Sequence, residues 1–497
     1  GFGQLPSGFV PQEDEGWCLV NVQLPDAASL ERTEAVSAHV GEIAMATPGV
    51  REVINITGYS MMNGAAASNT ASILAMFEDW EERTTPDVSQ AAIIGSMNRQ
   101  FQQLQEAMVA AFAMPSLPGL GTSGGLAMQI QDTGGAGLGA LEGIANIMVE
   151  DGRTQSALTN VFTGFRANVP QLYVDIDRAQ ALAKNVGLDA VFRTLQTYLG
   201  SAYVNDFNFL GRTFRVTAQA DGPYRNEPGD VAKLKTRSEN GDMVPIGSIA
   251  TFHDITGPHR MPRYNLYPAA EVQGAKLPSI STGESLAKVE ALAEKVLPDG
   301  FSYEWTEIAL QQKLAGDTAM FAFGLAVIFV FLLLAALYES WALPMAVILI
   351  VPMCLLASIL GLNMRGMDSN ILAQVGFVVL IALAAKNAIL IVEFAKQGEE
   401  EGMSATEAAI MAARTRLRPI LMTSFAFILG VVPLMLATGA GAEMRQVLGT
   451  TVFSGMVGVT FFGLIFTPTF YVVCRWLADK MRTLMGRQHH HTTPPAA

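Results

Sequence analysis

The segment from Asn370 to Lys396 constrains this chain most. Its core, ILAQVGFVVLIALAAKNAILIVEFAK, is apolar for longer than the roughly 20 residues a spanning helix needs, yet it carries Lys386. An ionisable side chain at that depth costs about 3 kcal/mol or more to insert, so it normally faces an acid or a wet cavity inside a bundle. Lysines near helix ends escape by snorkelling. Lys386 stands ten residues before Lys396, about 15 Å of helix, which is too far to snorkel. The spacing therefore predicts an internal ion pair. Glu393 lies two turns away near the end of the run and is a poor partner. No other acid falls in any apolar run, so the expected counter-charge belongs to polypeptide outside this sequence.

Five such runs follow one another at 318–338, 340–364, 369–396, 419–442 and 446–474. Buried helices of a soluble core explain five in a row poorly, and membrane spanning is expected. Cations set the orientation. The 396–418 loop holds Lys396, Arg414, Arg416 and Arg418, and the tail holds Arg475, Lys480, Arg482 and Arg487, against only Arg365 and Arg445 in the opposite loops. The loop and the C-terminus are expected to be cytoplasmic, and residues 1–316 to lie across the membrane. The chain opens on Gly1 without a signal peptide, and we expect it to be one half of a longer exported protein.

Bulk properties exclude several classes. A net charge of −13 lacks the basic footprint of a nucleic-acid binder. Cys18, Cys354 and Cys474 are scattered and suggest neither a disulfide framework nor a metal site, and no cofactor motif stands out. A mean hydropathy of +0.30 fits a mixture of soluble and membrane parts.

Residues 1–316 alternate strand and helix patterns. A strand at 18–25, a helix at 29–49, strands at 50–59 and 71–80 around the loop MMNGAAASN, and a helix at 86–112 give a ferredoxin-like order. A second round has a strand at 124–132, a helix at 138–150, a strand pair ending at 171–177 and a helix at 188–200. A hairpin at 203–220 turning at Leu210-Gly211, strands at 244–251 and 266–274, a helix at 285–296 and a strand at 302–308 complete it. The expected fold class is α+β, two ferredoxin-like units with a β-rich insert, followed by a bundle of five transmembrane helices.

Thr423 and Ser424 follow Arg418-Pro419 at the start of the fourth run. Membrane hydroxyls usually bond their own helix or a neighbour, the default for Ser424, whereas Thr423 sits deep enough to line a proton path with Lys386. Arg416 and Arg418 read equally as cytoplasmic anchors. Ile54, Tyr59, Met61, Met62, Phe112 and Met114 flank the MMNGAAASN loop. Core packing is their ordinary explanation, but adjacent methionines among small residues suit an adaptable binding cleft. Gly121 to Gly125 fits G-x-S-x-G around Ser123 without the strand-turn-helix setting of a hydrolase. Gly135 to Ala140 resembles a dinucleotide loop without its acidic strand end. His489–His491 are too terminal to matter.

GFVVLIALAAKNAILIVEFAK, RTRLRPILMTSFAFILGVVPL and AALYESWALP, together with LPSGFVPQEDEG, SAYVNDFNFLGR and RYNLYPA, resemble the C-terminal half of a resistance-nodulation-division multidrug efflux pump of the hydrophobe/amphiphile class. The resemblance covers essentially the whole chain. It implies a homotrimeric inner-membrane antiporter that exchanges protons for hydrophobic and amphiphilic drugs, with an adaptor protein and an outer-membrane channel as partners. It implies a periplasmic linker at 1–13, a first porter subdomain at 14–115, a second at 116–200 and 266–316, a docking insert at 201–265, membrane helices at 317–475 and a cytoplasmic tail at 476–497. Lys386 then pairs with aspartates of the other half, and Arg416 and Thr423 fall at relay positions. Residues 57–66 match the gating loop, and Ile54, Tyr59, Met61, Met62, Leu74, Phe112 and Met114 match the substrate pocket. The family often has phenylalanine at several of these pocket positions. The rivals are a copper or silver exporter using Met62 and Met114, a membrane-anchored assembly module, and a membrane hydrolase built on Ser123.

Overall fold

The computed structural model describes residues 8–122, 124–154, 158–277, 280–315 and 318–484. The chain divides into two compact units, Arg166–Met261 and the remainder.

Six elements open the larger unit: β1 (Trp17–Gln23), α1 (Leu30–Met45), β2 (Val50–Ser60), β3 (Ala65–Phe77), α2 (Gln90–Phe101) and β4 (Met108–Ala113). They form an antiparallel sheet in the order β2-β3-β1-β4. Ser29 and Ser89 cap the helices, accepting from the backbone amides of Arg32 and Ala92. Because strand side chains alternate, one face presents Cys18, Val20, Val22, Ile73 and Ala75 to Val36, Val40, Ile93, Met97 and Phe101 of the helices. The other face carries Leu19, Leu74 and Phe112.

Two expectations fail here. The helix over 86–112 ends at Phe101, and Met108–Ala113 pairs with β1 as a strand. Asn98 fixes the return, its side chain donating to Ala111 O and accepting from Ala111 N. The MMNGAAASN loop shrinks to a turn at 61–64, and Ala65–Asn69 extend β3, with Tyr59 opposite Ala66 and Ser60 opposite Ala65. Pairing with β2 overrides the weak strand preference of Ala, Gly and Asn.

β5 (Leu126–Asp132), α3 (Leu138–Thr154) and β6 (Leu158–Thr163) follow. The smaller unit contains β7 (Val169–Ile176), α4 (Arg178–Ala183), α5 (Leu188–Leu195), β8 (Ala202–Phe209), β9 (Arg212–Ala218), α6 (Pro228–Lys233), β10 (Lys235–Arg237), β11 (Met243–Pro245) and β12 (Ala250–Gly257). β8 and β9 form the expected hairpin, and Leu210 and Gly211 both take positive φ (50° and 74°) as a type I′ turn requires. The larger unit resumes with β13 (Arg263–Tyr264), β14 (Tyr267–Lys276), α7 (Thr282–Val296), β15 (Phe301–Thr306) and α8 (Glu307–Ala315). Here β5 lies between β14 and β15, and every residue of it is buried. The strand pair expected to end at 171–177 does not form: β6 pairs with β14, and β7 with β12.

The membrane part comprises α9 (Thr318–Tyr338), α10 (Ala342–Ile348), α11 (Val351–Met364), α12 (Ile371–Glu400), α13 (Ala405–Met435) and α14 (Ala442–Leu484). Four spans among the described residues are long and apolar enough to cross a bilayer: Ala342–Met364, Ile371–Glu400, Ala405–Met435 and Ala442–Met481. Phe323–Tyr338 in α9 is apolar but shorter. The 396–418 segment is a loop only at 401–404, since α12 runs to Glu400 and a reciprocal Ser404/Glu407 cap starts α13 early. α14 packs against α11, α12 and α13, and small residues allow close approach. A β-carbon added to Gly458 would collide with that of Ala357.

Candidate functional site

The first candidate region is the α12–α13 pair. Asn370 starts α12, its Oδ1 accepting from the amides of Leu372 and Ala373 at 3.0 and 3.1 Å. One stripe of α12, including Phe377, Leu380, Ile381, Ala384, Ala388, Ile391 and Val392, is buried in the bundle core. Lys386 falls on the opposite side with Val375, Val378 and Val379, exposed in this chain. Its Nζ lies 5.3 Å from the Phe427 ring centre on α13, a cation–π contact. Lys386 forms no ion pair among the described residues. The expected internal pair is therefore not made among the described residues: Lys386 is exposed and meets Phe427 of α13 rather than an acid.

Next to Lys386, the buried Asn387 donates through Nδ2 to Ser424 Oγ at 3.2 Å. This bond fixes the level of α12 against α13, so Lys386 and Thr423, the immediate neighbours, stand at the same height. Ser424 thus bonds the neighbouring helix, whereas Thr423 Oγ1 donates to Ile420 O of its own helix at 3.1 Å. Arg416 lies two turns before Thr423, its guanidinium 3.4 Å from the Phe394 ring centre and its buried Nε unpartnered. Asn387 escaped the sequence reading, although an amide in an apolar run was itself a signal.

The second region lies on the open face of the first sheet. Leu19, Met62 and Phe112 are buried there together, with Met61, Leu74, Ala110, Met114 and Phe162 packed around them. Phe162 of β6 meets Phe112 at 5.1 Å between ring centres, so the cluster joins the two sheets. Ser72 holds the 61–64 turn, accepting from Met61 N at 2.9 Å and donating to Tyr59 O at 3.1 Å. Ile54 and Tyr59 stand outside this cluster and are exposed, at 47% and 40%. Phe162 was not legible in the sequence, since only the fold brings β6 to β4.

Residues 8–16 link the two regions. Gly8 N donates to Ser369 O and Ile371 N to Phe9 O, at 3.2 and 3.1 Å, where α12 begins. Further on, Gln12 Nε2 donates to Met114 O at 2.6 Å, and Glu13 N to Ser116 Oγ at 3.1 Å. Asp14 then takes both arms of the buried Arg83 at 2.7 and 3.0 Å.

The dinucleotide-like motif finds no support. In the 135–140 loop, Asp132 accepts from the amides of Gly135, Ala136 and Gly137 at 2.8 to 3.0 Å, so the chain's own carboxylate fills the place a phosphate would take. Burial pushes Asp132 up, but these amides outweigh it and hold the carboxyl below its ordinary range. Ser123 and His489–His491 lie outside the described residues.

The AcrB/AcrD/AcrF family model matches residues 1–475. The chain is 38% identical to multidrug export protein AcrF of Escherichia coli (strain K12) over 478 residues, covering 95% of this chain and 46% of that protein. It is 39% identical to the toluene efflux pump membrane transporter TtgB of Pseudomonas putida, covering 95% and 45%. Against multidrug resistance protein MdtF of Escherichia coli (strain K12) it is 35% identical, covering 97% and 46%. The chain thus spans a little under half the length of these relatives. With a family match over nearly its whole length, a mixed α/β part and apolar helices after it, the chain belongs to the AcrB/AcrD/AcrF family of resistance-nodulation-division efflux transporters.

Proposed function

We propose that this chain is one half of a proton-driven pump that exports hydrophobic and amphiphilic compounds across the envelope of a Gram-negative cell. The observation that carries this reading is Lys386. It is an ammonium group in the middle of an apolar helix, level with Thr423, on a face that this chain leaves open. Carboxylates from the remaining half supply its counter-charge. Their protonation releases the lysine, and α12 and α13 shift. Thr423 and Arg416 extend the proton path. Residues 8–16 carry the shift to the Met62–Phe112 cluster, because they are bonded to the start of α12 and to Met114.

In this reading α9 is the fifth span, and residues 14–115, 116–200 and 266–316 are porter subdomains. Residues 201–265 dock an outer-membrane channel with the help of an adaptor. The pump is a homotrimer of the inner membrane with its C-terminus in the cytoplasm. Ile54, Tyr59, Met61, Met62, Leu74, Phe112 and Met114 line the drug cleft. The names of the relatives, multidrug and toluene efflux transporters, support export of organic compounds over metal export.

The test is Lys386→Ala in the complete transporter, expressed in a drug-sensitive Gram-negative host. Drug resistance and proton-coupled dye efflux should fall to the level of the empty host while the protein stays in the membrane at its normal amount. Retained resistance would overturn the proton-coupling reading and favour a passive assembly module.

A further inference from the structure

Outside the membrane helices, a buried carboxyl sits where the linker after β4 meets the start of α8. Glu307 opens α8 with φ 57°, in the left-handed region that few residues other than glycine adopt. Its carboxyl lies against Gly121, where an added β-carbon would collide with Glu307 Oε2. Gly121 itself has φ 113°, so the contact needs glycine both for space and for conformation. Glu307 Oε2 is buried and has no hydrogen-bond partner. On β14, Glu271 accepts from the Gln129 side-chain amide at 2.5 Å and from the Gln273 amide. Both oxygens of Glu271 therefore act as acceptors.

A buried carboxylate oxygen without a donor is costly as an ion and tolerable as a neutral acid. We propose that Glu307 is a proton-binding site, neutral beside the charged Glu271, where its carboxyl packs against Gly121. Burial first, and then the charge of Glu271, push Glu307 up to about 7, with the Thr122 amide acting in the opposite sense. The remaining charged groups on the surrounding elements give no relief: Lys276 of β14 donates to Ile280 O. Asp132 of β5 is taken by its own loop amides, Glu304 of β15 is another acid, and Lys313 of α8 pairs with Glu290. This inference does not depend on the transport reading.

The experiment uses the purified 497-residue protein in detergent. Thermal midpoints are recorded from about pH 5 to about pH 9, alongside the infrared C=O band of protonated carboxylic acids. Because the folded value exceeds the ordinary 4.5, the folded state holds a proton that the unfolded chain releases. Stability contributed by that proton is complete below about pH 4.5 and lost as pH rises through about 7. Glu307→Gln and Glu307→Gly should both remove this fall and one protonated-carboxyl band. Glu271→Gln should move the fall to lower pH. If both Glu307 variants keep the wild-type slope and band, or Glu271→Gln leaves the midpoint of the fall in place, the proposal is overturned. Glu307→Gly suits the positive φ, and Glu271→Gln leaves Glu307 intact, so a folding failure of Glu307→Gln does not stop the test.

Discussion

Asp132 shows how one side chain settles what a motif does. Its carboxylate turns the glycine-rich 135–137 loop inward and satisfies three amides that otherwise point at solvent or at a ligand. Asp132→Ala is expected to cost about 1–3 kcal/mol, since it removes hydrogen bonds to a charged group. The sign with pH follows from the lowered carboxyl. Its contribution is present above the ordinary value of 3.8 and is lost as pH falls through the folded value, so the variant should lack that acid-side loss. Urea titrations of both proteins at neutral and acid pH check this. An unchanged acid slope in Asp132→Ala counts against it. At this scale the sequence was partly legible. It singled out Lys386 as anomalous from depth alone, but whether the chain itself covers that lysine depends on which stripe of α12 faces α14. Ile54 and Tyr59 were grouped with Met62 by proximity along the chain; Ile54 pairs with Leu74 and so shares the face of the cluster, but both residues lie on the edge strand β2 and stay exposed.

Elements were legible where a local rule decides them. Leu210-Gly211 turns a hairpin because a two-residue turn needs positive φ at both positions. β4 was not legible, since MVAAFA follows a helix directly and alanine suits both states; Asn98 and the edge of β1 decide it from elsewhere in the chain. α13 likewise begins at its Ser404/Glu407 cap rather than where the apolar run starts. Helix contacts within the bundle follow small residues. Gly458→Val is expected to destabilise the α11–α14 contact by about 1–3 kcal/mol, because its side chain would have to enter space held by Ala357. A lower melting midpoint in detergent, partly restored by Ala357→Gly, checks this; a variant as stable as the wild type contradicts it.

Across the whole molecule, the sheets and the apolar helices were legible as separate blocks by composition. The thread joining them was not, because its bonds to the start of α12 are main-chain bonds that leave no pattern in side chains. Those bonds fix how the thread tolerates change. Gly8 N to Ser369 O and Ile371 N to Phe9 O use only peptide groups, so almost any side-chain replacement in residues 8–10 or 368–371 leaves them standing. Proline is the exception, and Ile371 is the first residue of α12, where a helix accepts proline readily. Ile371→Pro should therefore keep the helix and its Lys386 while cutting one strand of the tether. In the complete transporter we expect unchanged protein levels and substrate binding with at least a several-fold loss of efflux; full efflux would show that motion reaches the cleft by another route. A sequence survey that tracks residue identity would pass over these two bonds, because, proline apart, the side chains at Gly8, Phe9, Ser369 and Ile371 take no part in them.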